Sequence, residues 1–271
     1  MVMHPFVEPT SFLRRALQAL CLGCVAMATA HAQLPQAADL AALEQQGYVP
    51  LDRIATPLLA VANQLQQPDV ARVVLYSGRM ELPAAQQRDA QALQSNDQFV
   101  RHDALQRLMP LLEARARQVA SATGFLVPVR AALGPYDFQR HRFALSLQLR
   151  LQPAHALRGY FCAGAYAQDR YARLSACVQP TNWDRGSLAF EYVVADDERA
   201  AEAFHSEFQR HQFGFFLVVT RDGALRGAPR PPLTYGYFPR TRVAEVQPVR
   251  VLGLVVLDPQ GRVLSRTAMP D

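Results

Sequence analysis

The residues of this chain that could do chemistry are few and widely spaced. Beyond the first 32 residues it carries five histidines, His102, His141, His155, His205 and His211, and two cysteines, Cys162 and Cys177. A zinc-binding helix needs histidines at i and i+4, whereas His205 and His211 are six apart, so these read as solvated or capping residues. Ser77 lies in Tyr76-Ser77-Gly78 and lacks the Gly-x-Ser-x-Gly elbow that exposes a hydrolase nucleophile. Asp196, Asp197 and Glu198 have metal-ligand chemistry, but acids in that place also suit the positive end of a helix dipole. No catalytic or metal-binding set is complete, and no residue pattern calls for a cofactor. All 28 basic residues are arginines. Without lysine there is no phosphate-binding P-loop lysine, no kinase-type lysine and no Schiff-base nucleophile.

Binding chemistry is more concentrated. Arg158, Tyr160, Tyr166, Arg170, Tyr171 and Arg173 crowd one segment, and Arg and Tyr favour binding surfaces because both combine a large contact area with a polar tip. Such a segment suits an envelope protein partner or a small acidic ligand. Ordinary surface arginines and half-buried tyrosines have the same composition. Cys162 and Cys177 flank most of the segment, and in an oxidising compartment a lone pair at that separation forms a disulfide, worth on the order of 3 kcal/mol. Tyr235-Gly236-Tyr237-Phe238, inside the Pro- and Gly-rich stretch Arg226–Pro239, is a second loop that could cover a ligand or pack over a sheet.

The N-terminus bears on the compartment. Arg14 and Arg15 precede the apolar run Ala16–Met27, and Ala30-His31-Ala32 supplies small residues at the positions a signal peptidase reads, so residues 1–32 are expected to be a cleaved secretory signal. The run is shorter than the roughly 20 residues that span a bilayer. Leu22-Gly23-Cys24 has the end of a lipoprotein motif, with Cys21 where that motif wants leucine. Loss of Arg14, Arg15 and Glu8 would lower the formal net charge from +5 to +4. That excess is spread along the chain, which argues against a nucleic-acid partner. No later run has transmembrane length. The expected location is the periplasm or the outside of the cell.

These residues need elements to position them. Residues 33–123 read as a helical region: Gln36–Gln46 ending at Gly47, Leu51–Leu65 closed by Pro68, Ala84–Leu93, and Asp97–Ser121, which Pro110 should kink or divide. Val70–Tyr76 reads as a short strand. Residues 124–271 read as a sheet region in the same compact domain. Phe125–Val129 is broken by Pro128, which suggests an edge strand, and Gly134-Pro135 suggests a turn. In Arg142–Gln152, Phe143, Leu145, Leu147, Leu149 and Leu151 alternate with polar or small residues, the period of a half-buried strand. Arg158–Ala163 and Leu174–Val178 follow as short strands, Trp183–Gly186 as a turn, and Leu188–Val194 as another alternating strand. A helix opening at Asp196 leads to Phe213–Val219, apolar enough to be buried on both faces. That strand–helix–strand run suggests a crossover between parallel neighbours. Val249–Leu257 and Arg262–Arg266, joined by Asp258-Pro259-Gln260-Gly261, form a terminal hairpin. The fold class is α+β, a helical N-terminal region packed on a mostly antiparallel sheet.

Gly134-Pro135-Tyr136-Asp137-Phe138, followed by Phe143 and the alternating leucines, resembles a pattern of uncharacterised secreted bacterial envelope proteins. The resemblance stops near Leu151 and implies an envelope address, with no activity attached. The expected function is a non-enzymatic binding or accessory protein. The alternatives are a secreted hydrolase whose site assembles from distant residues, and a structural subunit of an envelope or secretion assembly.

Overall fold

The computed structural model describes residues 34–148, 175–182, 189–193, 198–210, 213–227 and 243–269. The segments expected at 158–163 and 183–186, the end of the leucine strand at 149–152, and most of the loop at 226–239 lie outside them.

The helical layer starts at α1 (Leu40–Gln45), where the Asp39 carboxylate accepts from Ala42 N at 2.8 Å. Gly47, at φ +85°, turns the chain into the short strand β1 (Tyr48–Pro50). Asp52 then accepts from Ile54 N and Ala55 N, opening α2 (Ala55–Val61), which runs into a 3-10 turn over Ala62–Gln64. Pro68 opens α3 (Pro68–Ser77) where it was expected only to close the preceding helix. The strand expected at Val70–Tyr76 is therefore helical: Val70, Ala71, Val74 and Leu75 bury one face at helical spacing. Their β-branched content favours a strand only weakly, and packing overrides it. A 3-10 turn (Arg79–Glu81) leads to α4 (Ala84–Ala92).

The longest helix, α5 (Gln98–Ser121), is capped by Asp97, which accepts from Phe99 N and Val100 N. Pro110 does not divide it. Pro110 is exposed, as is Gln106, whose carbonyl loses its helical donor to the proline, so water can satisfy that oxygen. Leu108 and Leu112, fully buried on either side, anchor the helix in the main core.

Among the described residues the sheet has nine strands, in the order β4-β8-β6-β2-β3-β5 with β1, β7 and β9 joined to it. They are β2 (Gly124–Asp137), β3 (Arg142–Gln148), β4 (Ser175–Pro180), β5 (Ala189–Val193), β6 (Gly214–Arg221), β7 (Arg226–Gly227), β8 (Val243–Leu257) and β9 (Val263–Ala268). Pairing is antiparallel except for β1–β2 and β4–β8. One helix, α6 (Glu198–Gln209), sits between β5 and β6 in sequence.

Three expectations are corrected here. The segment Phe125–Val129 lies at the centre of the sheet, with β6 along one edge and β1 along the other. Backbone N–H groups alternate between a strand's two edges. Leu126 O accepts from Leu51 N, so Pro128 faces the β1 edge just past the end of that pairing, where no donor is needed. Gly134-Pro135 is a bulge inside β2: Leu133 pairs with Leu145 and Tyr136 with Phe143, so two residues oppose Ala144 alone. The bulge shifts the phase so that Leu133 and Tyr136 both face the core. Finally, β5 and β6 are not parallel neighbours, because β3 and β2 lie between them and three successive antiparallel pairings leave them opposed. A crossover rule restricts the hand of a connection only if the two strands are parallel in one sheet, and local pattern cannot establish that.

The core lies on both faces of the central strands. Leu217 and Val219 of β6 pack in the larger cluster with Phe125, Val127, Leu108 and Leu112, while Val218 packs with Leu126, Val255 and Leu43 beneath α1. The apolar run of β6 is thus buried twice over, as its composition required. In β3, Phe143, Leu145 and Leu147 are buried and Ala144 and Ser146 exposed, matching the alternation. Among the described residues no helix is long and apolar enough to cross a membrane.

The terminal hairpin β8–β9 is present. Gly261 N donates to Asp258 O, and Asp258 Oδ1 accepts from Gln260 N and Arg262 N. Burial pushes the Asp258 carboxyl up, but the Arg262 N–H, the Arg262 guanidinium at 2.6 Å and the Gln260 N–H outweigh it and hold the group below its usual value. A depressed pKa stabilises the fold above the unfolded value of about 3.9, and that stabilisation is lost as pH falls through the folded value. Asp258→Asn should therefore flatten the acid limb of stability below about pH 4 in urea titrations. An unchanged acid limb would show that the turn bonds do not favour the ionised form.

Candidate functional site

Among the described residues, the tip of the β2–β3 hairpin brings together groups suited to recognition. Asp137 Oδ1 accepts from Gln139 N at 2.9 Å and Arg140 N at 3.1 Å, a local turn that competes well with continued strand. His141 at φ 51° completes the reversal. At the apex Phe138 is 67% exposed, with its ring edge-on to Tyr136 at 4.9 Å. The Tyr136 hydroxyl meets His141 Nδ1 at 3.3 Å, and the Tyr136 ring lies 4.9 Å from Phe143. Phe143 in turn touches Phe204 of α6 and stacks on His205 at 6.4 Å. Contacts from Phe204 to Phe208 and Phe213, and from Phe208 to Phe215, continue this line into the core. The result is an aromatic column with one end buried in the sheet and the other, Phe138, in water. Arg140, 3.8 Å from Asp137, adds a charged rim.

An exposed aromatic ring beside a charged rim has the chemistry of a binding surface. His141 faces a phenol and His205 a phenyl ring, and neither pairing is the base–serine contact of a nucleophilic site. Ser77 donates to Val73 O at 2.6 Å within its own helix. His102 is exposed on α5, and Glu198 is exposed in the first turn of α6. His155, His211, Asp196 and Asp197 lie outside the described residues. Among those described, no group of three or more His, Cys, Asp or Glu could hold a metal ion.

The segment expected to bind, Arg158, Tyr160, Tyr166, Arg170, Tyr171 and Arg173, also lies outside the described residues, together with Cys162 and Tyr235–Phe238. Cys177 is fully buried in β4. Sequence reasoning passed over the hairpin tip, although its signal was present: Gly134-Pro135-Tyr136-Asp137-Phe138 carries two aromatics beside an Asp, a turn-former. Taken as a turn that merely precedes a strand, it gave no reason to expect an exposed Phe138 or the meeting of Tyr136 with His141.

Two other polar clusters are structural. Arg115 donates to Asp52 at 2.8 Å and to Pro50 O, tying α5 to the end of β1, while Glu81 accepts from Arg53 N at 2.7 Å; burial raises the Glu81 pKa. Arg221 donates to Val119 O and Ala122 O at the end of α5 and lies over the Phe125 ring at 5.1 Å, and burial lowers its pKa. These arginines add side-chain donors to carbonyls at a helix end and a strand end. At the far edge, Asn182 pairs with both the N–H and the carbonyl of Val251, Thr181 donates to Asp222, and buried Gln247 donates to Gly223 O.

No family model, curated protein or solved structure matches the chain.

Proposed function

We propose that this chain is an exported, non-enzymatic binding protein of the bacterial envelope that engages a protein partner through the tip of its β2–β3 hairpin. The observation that carries this reading is Phe138: a large apolar side chain, 67% exposed, held against Tyr136 above a buried aromatic column. An aromatic anchor fixed before binding loses little side-chain entropy on docking and is the kind of residue that dominates interface energy. The signal-like N-terminus, the arginine- and tyrosine-rich segment Arg158–Arg173 and the resemblance of the hairpin sequence to secreted envelope proteins support the same address and role.

A photo-crosslinking side chain at position 138, compared with one at the equally exposed Met80 on the helical side, tests this directly in intact cells. One discrete adduct from position 138 and none from position 80 is expected, together with a loss of affinity of tenfold or more in Phe138→Ala at unchanged Tm. Equal labelling from both positions, or none from 138, would remove the tip from the interface.

The proposal includes a Cys162–Cys177 disulfide formed after export. Mature protein from the periplasm should begin near Gln33 and titrate with no free thiol until reduced, when two appear. Two free thiols in the folded exported protein would end the disulfide, and an N-terminus before residue 20 would end the proposed cleavage.

A further inference from the structure

We draw no further inference here: the strongest candidate, the open face of the β2–β3 sheet where Ala132 pairs with exposed Ser146 beside Arg130, is a stripe of small residues, and nothing in the structure shows what covers it.

Discussion

Leu147→Asp is expected to unfold the protein, while Ser146→Asp, one residue away, leaves it folded. Leu147 is 3% exposed and packs in the main core. Aspartate there must either bury an unpaired charge or take up a proton, and it also forfeits the apolar contacts. Together these cost on the order of 5 kcal/mol, comparable with the whole stability of a typical domain. Ser146 points to the other face of the same strand and is exposed, so a charge there should change stability by about 0.5 kcal/mol or less. Far-UV circular dichroism and urea midpoints of the two variants settle the matter. If both proved equally mild, the assignment of faces along β3 would be wrong.

The second large effect is expected at Gly124. A Cβ built there would lie 2.2 Å from the backbone oxygen of Val219 and 2.8 Å from the Tyr48 ring. Neither neighbour can move cheaply, since Gly124 is paired with Tyr48 of β1 on one side and Thr220 of β6 on the other. Gly124→Ala should therefore cost about 3 kcal/mol, at the upper end of the usual overpacking penalty. Gly134→Ala is the comparison, because its nearest contacts are 3.1–3.2 Å and involve Ala144 at the edge of a bulge. The expected order of urea midpoints is wild type, then Gly134→Ala, then Gly124→Ala. A Gly124→Ala protein as stable as wild type would mean that β1 does not press on β2 as described.

The first of these effects follows from a local period, whereas the second depends on long-range neighbours, where the sequence was least informative. The alternation in β3 predicted Phe143, Leu145 and Leu147 in the core, because the period of a strand is itself a statement about which side is buried. The same reasoning recovered β6 as buried on both faces and the β8–β9 hairpin, whose turn residues are contiguous. It failed for Val70–Tyr76, where β-branched residues suggested a strand and an apolar helical face decided otherwise. It also failed for Phe125–Val129, where Pro128 suggested an edge although its missing donor falls beyond the reach of β1. Of the candidate site, the sequence showed the aromatic residues of the hairpin but not that His141 reverses the chain toward Tyr136. That contact depends on a turn conformation rather than on composition.

Taken alone, the sequence determined the α+β class, the faces of β3 and β6, the terminal hairpin and the absence of lysine from this chain. All of these depend on residues adjacent in the chain or on simple inventory. Only the tertiary structure decided that β2 is central, that β5 and β6 are separated by β3 and β2, and that an aromatic column leads from Phe215 in the core to Phe138 in solvent. The reason is physical: side-chain period specifies which face of an element is buried. Which element lies beside it is set by pairing between residues tens to about a hundred positions apart, and no local pattern carries that information.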